Sequence, residues 1–239
     1  VTAVEEALRG AGYTDVVGLD DFLTWSEWAL ARVGFRPSNC LPVVSVCRDE
    51  LMAPVDEGVR RVWGQPFWAG ALAGLPFLGR TGMRAALGHA PGEDGRHRFV
   101  LFCLPHIGID ADGTVGRVHR RGMHRASAAC GALAAYLSDI AGGATVGGLD
   151  PDDIEQSLLQ ARLRPLVEEG VPSLVELTEL TRQASVSDAR RFISLVGGDE
   201  PVDVACISGV VVHLPDGQDV VAHVDADVRI DAVVHVLPH

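Results

Sequence analysis

Two short apolar runs constrain this chain more than anything else in it. The first, Leu41-Pro-Val-Val-Ser-Val46, ends abruptly in Cys47-Arg48-Asp49-Glu50. The second, Arg98-Phe-Val-Leu-Phe-Cys-Leu104, ends in Pro105-His106. Short apolar runs of this kind, bounded by polar residues, read as buried strands of a parallel sheet. In open α/β sheets ligands gather beyond the carboxyl ends of such strands. Cys47 and His106 therefore stand where chemistry is usually done. Each also has a structural reading: a free cysteine is often a small buried hydrophobe, and His106 can simply finish a strand.

The rest of the pattern fits strands alternating with helices. Helices are expected over 2–11, 20–33 (capped by Asp20 or Asp21), 50–62 (opened by Pro54), 81–87 (ended by Gly88), 122–140, 151–169 and 172–187, with Asp150 and Ser173 as caps for the last two. Trp25 and Trp28 on the second helix read as core or as a dimer face. The apolar, glycine-rich stretch 63–79 reads as a short strand and a loop that lets backbone pack closely on the site. His89-Ala-Pro-Gly-Glu-Asp94-Gly95 is a turn, and 197–201 a break. Residues 107–110 and 114–118 flank Asp112-Gly113 as a hairpin, and Val202–Leu214 and Val220–Ile230 flank Asp216-Gly217 as another. The fold class is α/β: a mainly parallel central sheet flanked by helices, with a β-hairpin insertion and a β-rich C-terminal extension. One domain is expected over 1–239, with a helical arm (1–40), a core carrying the site (41–140), and helices and strands to the end (141–239).

Composition removes whole classes of function. A net charge of −12 argues against a nucleic-acid backbone as partner. All 20 basic residues are arginine. Without lysine there is no Schiff base to a carbonyl cofactor and no Walker lysine. Five cysteines in 239 residues form no secreted disulfide framework, and the expected compartment is the reducing cytoplasm. No stretch has the length to span a bilayer, and the first residues lack the regions of a signal peptide.

Cys130, on the helix expected from 122 to 140, completes a set with Cys47 and His106. Two thiolates and an imidazole suit zinc, and three protein ligands leave a fourth tetrahedral position for water. No Cys-x-x-Cys pair supports that reading, and Cys130 can equally be a small residue packed in a helix. The basic cluster Arg117, His119, Arg120, Arg121, His124, Arg125 leaves a further alternative, with one of its histidines replacing His106. Otherwise the cluster is a solvated helix start, or draws an anion in and shuttles protons near neutral pH. Cys103 and Cys206 read as core thiols. Cys40 is a possible redox thiol with nothing beside it to lower its pKa. His213, His223 and His235 alternate with apolar residues and read as solvent-facing.

Several motifs follow one another in order: Cys47-Arg-Asp-Glu-Leu51, His89-Ala-Pro91 with Asp94-Gly-Arg96, Pro105-His-Ile107, Asp112-Gly-x-Val-Gly-x-Val118 and Ala126-Ser-x-Ala-Cys-Gly-Ala-Leu133. Together they resemble the limiting-CO2-inducible B/C family, a branch of the β-type carbonic anhydrases. The resemblance covers 41–140 strongly and the flanks in general layout. It implies Zn2+ held by Cys47, His106 and Cys130, with Asp49 beside it, and a homodimer. It also implies reversible hydration of CO2 to bicarbonate by zinc-bound hydroxide, with Asp49 orienting that hydroxide. The sequence departs from ordinary β-carbonic anhydrases twice. Leu51 stands where their Cys-x-Asp-x-Arg motif has arginine, which leaves Arg48 as the nearest partner for Asp49. Their close His-x-x-Cys-Gly pair is split here by the hairpin, although Cys130-Gly131 survives. The role of His89 stays open.

Two other classes compete. A family member can hold zinc without turnover, as a bicarbonate-sensing or scaffold protein. An enzyme with Cys47 as nucleophile and His106 as base would need no metal, and would leave Cys130 without a role.

Overall fold

Side chains alternate across a strand, so a strand covered on both faces must be apolar at every position. The runs at 41–46 and 99–104 meet that demand except at Ser45, whose buried hydroxyl donates to the Gly74 carbonyl at 2.8 Å, and both are interior strands. In a computed structural model of the protein, residues 2–92, 95–143, 148–167, 170–196, 201–215, 217–230 and 233–237 are described. Glu93, Asp94, Asp216 and residues 197–200 of the expected turns and break lie outside them, as do 168–169 of the helix expected over 151–169.

The strands are β1 (Val17–Gly18), β2 (Leu41–Val46), β3 (Phe67–Trp68), β4 (His97–Leu104), β5 (His106–Gly108), β6 (Arg117–Val118), β7 (Ser127–Ala128), β8 (Val202–His213), β9 (Asp219–Ile230) and β10 (Val233–Val236). The helices are α1 (Ala3–Gly10), α2 (Leu19–Ala31), α3 (Ala53–Trp63), α4 (Gly79–His89), α5 (Gly131–Ala141), α6 (Ile154–Leu163) and α7 (Leu174–Val196). Among the described residues the main sheet runs β1-β9-β8-β4-β2-β3, with β5 also on β8 and β10 on β9. Pairings from β3 through β2 and β4 to β8 are parallel; β9 runs antiparallel to β8, β1 and β10.

The period of two divides the core. Val44, Val46, Val100, Phe102 and Leu104 face one side, with residues of α2, α3, α5 and α6. Val43, Phe99, Leu101 and Cys103 face the other, with Met83 and Ala86 of α4 and Ala189 and Ile193 of α7. β8 is no appendage: it pairs with β4 over seven residues and is buried from Asp203 to His213. The C-terminal strands therefore complete the sheet that carries the site.

Several expected boundaries move. Gly18, not Asp20 or Asp21, caps α2, and both carboxylates lie in its first turn, where the helix dipole favours them. Of its tryptophans, Trp25 stacks on Phe22, while Trp28 is 59% exposed beneath the Arg32 guanidinium. The expected hairpin at 107–118 shrinks to an Ile109–Val115 bridge, and β6 pairs with β7 instead. The helix expected from Gly122 begins only at Gly131. Its helix-forming alanines lose to backbone bonds that hold Ala129 to Gly108 (3.1 Å) and Gly116 (3.0 Å). α6 starts at Ile154 without Asp150 as its cap, and gives way at Pro165 to a 3-10 turn. α7 opens as expected, with Ser173 and Glu176 bonding each other's backbone N–H, and runs on to Val196. No described helix is long and apolar enough to cross a membrane.

Candidate metal centre

The register of two parallel strands builds the site. Val46 pairs with Leu104, so Cys47 lies one residue, and His106 two, beyond paired strand ends. Cys130 arrives from the β6–β7 ribbon as the N-cap of α5, which places it before the helix rather than on it. The peptide between Ala129 and Cys130 is cis. One ligand atom from each of Cys47, His106 and Cys130 lies within 4.8 Å of the others, and all three residues are buried. The two sulfurs are 3.7 Å apart.

His106 Nε2 is buried without a hydrogen-bond partner, while its Nδ1 lies 3.0 Å from His213 Nε2. A buried nitrogen left bare beside two thiols fits a metal and is costly without one. This group is the only set of three metal-ligating side chains found among the described residues. The hydrogen bond between the thiols divides them: it lowers the pKa of Cys47 and raises that of Cys130, which burial raises further. A cation bound by both sulfurs removes that conflict by stabilising both thiolates.

Backbone packing holds Cys47 in place. The Ala73 N–H donates to Cys47 Sγ at 3.3 Å, from a residue in the left-handed region (φ 55°). Neighbouring Gly74 also has positive φ and lies against Ser45, Val46 and Cys47 backbone. A Cβ on Gly70 would fall well inside contact with the Val46 backbone. The glycine-rich loop thus packs on the site as its composition implied.

Asp49 follows Cys47 by two residues, its side chain 12% exposed. Its Oδ1 accepts the Leu51 N–H at 3.1 Å, and its Oδ2 accepts from Arg120 Nη2 at 2.7 Å. Burial raises its pKa, but the Leu51 amide and the Arg120 guanidinium outweigh that and hold it below the usual carboxylate range. Arg120 is itself fixed by Glu50 (2.6 Å), by the Ala128 carbonyl (3.0 Å) and by the Ser127 hydroxyl.

The family model described as Limiting CO2-inducible proteins B/C beta carbonic anhydrases matches residues 16–230. The chain belongs to this family. The fold of this family member is also that of solved relatives. A structure of PtLCIB4, described as a homolog of the limiting CO2-inducible protein LCIB, superposes with a TM-score of 0.84 at 26% identity, covering 98% of this chain and 99% of that one. A structure of LCIB itself gives 0.74 at 28% identity, covering 93% and 94%. No curated protein matches the chain.

Within this family member, the expected pairing of Asp49 with Arg48 is not what forms. Arg48, 62% exposed, turns to Glu155 of α6 (2.7 Å), whose carboxylate also accepts the Leu72 N–H at 3.1 Å. The residue after Cys47 projects away from the site, and the guanidinium of the pair comes from 71 positions on. Its only sequence signal was its place in the basic cluster, which the structure divides: Arg120 is drawn in, while His119 and His124 stay exposed and leave the ligand position to His106. His213, expected to face solvent, is buried between His106 and Asp219. His223 and His235 are exposed; His89 ends α4, edge-on to Phe67. Cys103 and Cys206 are core thiols, and burial pushes the Cys40 thiol up to about 11, against a redox role.

Proposed function

We propose that this family member is a zinc-dependent carbonic anhydrase, interconverting CO2 and bicarbonate. The observation that carries the reading is the bare His106 Nε2 grouped with two buried sulfurs beside an ionised, arginine-held Asp49. Zinc, when bound, lowers the pKa of a coordinated water to about 7 and so supplies a nucleophile for CO2 at neutral pH. Cys47 and Cys130 as thiolates and His106 as neutral imidazole would hold it, their two negative charges matching its two positive ones.

The remaining work falls to the chain. While ionised Asp49 can accept but not donate, and its low pKa keeps it so at neutral pH. It accepts a hydrogen bond from the attacking group and so sets its orientation. Arg120 and the Leu51 amide occupy both Asp49 oxygens and keep the carboxylate from turning onto the metal. CO2 has no charge to grip, and the glycine-rich loop, held against Cys47 by the Ala73 N–H, brings apolar residues to the site.

The test is stopped-flow CO2 hydration on purified protein, with zinc measured on the same sample. Zinc at about one per chain, with turnover that a chelator abolishes, is the expected outcome. Zinc without turnover from pH 6 to 9 would make the chain a non-catalytic zinc protein. Absence of zinc after preparation under reducing conditions would overturn the metal reading itself.

A further inference from the structure

We infer that His213 and Asp219 are positioning residues, which fix the tautomer and orientation of His106 through a directed chain of two hydrogen bonds. The inference rests on the zinc reading above. The chain runs from Asp219 Oδ1 to His213 Nδ1 at 2.8 Å, and from His213 Nε2 to His106 Nδ1 at 3.0 Å. Strand pairing delivers all three residues. His213 pairs with Asp219 at the closing end of the β8–β9 hairpin, and His106 of β5 lies on the same stretch of β8, in register with Val211.

The proton assignment follows from the end of the chain. A carboxylate only accepts, so His213 Nδ1 must carry a hydrogen and donate it to Asp219. With that imidazole neutral, its Nε2 is an acceptor. His106 Nδ1 must then be the N–H, which leaves the lone pair on His106 Nε2. That nitrogen is the one found bare beside Cys47 and Cys130. One carboxylate thus fixes the state of two rings and turns the right nitrogen of the second toward the sulfurs.

Burial makes the arrangement specific. His106 is 0% and His213 4% exposed, so an unpaired ring nitrogen on His213 would be penalised, and neither of its nitrogens is left unpaired. A core histidine kept only for packing needs neither an aligned carboxylate nor a ligand-type ring at its other end. Outer partners of this kind also raise the basicity of a metal-bound imidazole, and losing them costs about 10–100-fold in metal affinity.

The experiment uses the full chain with two near-isosteric substitutions, H213M and H213Q. Zinc affinity is read by chelator competition, and the His106 tautomer in the metal-free protein by imidazole 15N shifts. Wild type is expected to show a protonated Nδ1 and a bare Nε2. H213M, which lacks a good acceptor, should lose about 10–100-fold in zinc affinity and show mixed tautomers. H213Q places a carbonyl oxygen near the lost nitrogen and should recover affinity to within about threefold, with the tautomer restored. Wild-type affinity and an unchanged tautomer in H213M would overturn the inference, as would failure of H213Q to rescue a folded H213M. If H213M does not fold, D219L, which removes the acceptor for His213 Nδ1, carries the same two measurements, and no change in either would overturn it. Failure of wild type to bind zinc would instead remove the proposed function, while the metal-free tautomer would still decide whether the chain orients His106.

Discussion

Replacing Arg120 with glutamine should separate the two arginines near Asp49 most sharply. Arg120 and Asp49 side chains are 17% and 12% exposed, so their bond lies between a surface pair, worth about 0–1 kcal/mol, and a buried pair whose breaking costs about 3–5. About 2 kcal/mol is a fair middle value, and the lost bond to the Ala128 carbonyl adds about 1. The Glu50 carboxylate is 70% exposed and adds little. A total near 3 kcal/mol corresponds to a fall in melting temperature of about 6–12 °C for a chain of this size. The pH dependence has a definite sign. Asp49 has a depressed folded pKa, so its stabilisation is present above its ordinary value of about 3.9 and is lost as pH falls through the lower folded value. Without the Arg120 guanidinium the balance shifts toward burial, the pKa rises, and the acid limb of CO2 hydration moves to higher pH. Loss of the positioned carboxylate should lower kcat by about 100-fold. The assay is stopped-flow hydration from pH 5 to 9, with thermal melts of the same samples. R48Q is the control: its exposed pair with Glu155 is worth at most about 1 kcal/mol, and activity should stay within about threefold. A larger activity loss in R48Q than in R120Q, or an acid limb that does not move in R120Q, would refute the reasoning.

Other substitutions test other parts of the account. C130S should lower zinc below about a tenth of an equivalent after dialysis, since a serine hydroxyl is a poor zinc ligand beside one thiolate, and metal analysis reads this directly. G70A forces a methyl into the Val46 backbone, should cost about 3 kcal/mol or more by denaturant unfolding, and should weaken zinc binding through the displaced strand end.

The legible parts of the fold and site were those written locally. The runs ending at Cys47 and His106 are apolar at nearly every position because both faces of β2 and β4 are covered, and that pattern survives in one sequence. Ser173 and Glu176 lie three positions apart, so their reciprocal cap can be read without a structure. The rest depends on distant partners. Arg120 looks like one more surface arginine until Asp49, Glu50 and the β6–β7 ribbon close around it. His213 looks like the polar face of an alternating strand, yet β8 is buried on both sides, and its alternation separates two cores rather than core from water. Cys130 sits among strong helix formers, but backbone bonds to Gly108 and Gly116 claim the preceding segment. Propensity yields where the ladder supplies those bonds.

The central claim is that Cys47, His106 and Cys130 together hold zinc, and X-ray absorption at the zinc edge on the purified full chain tests it most directly. The account predicts about one zinc per chain with two sulfur scatterers near 2.3 Å and nitrogen or oxygen scatterers near 2.0 Å. A zinc shell without sulfur, or protein that stays metal-free when zinc is offered under reducing conditions, would contradict it.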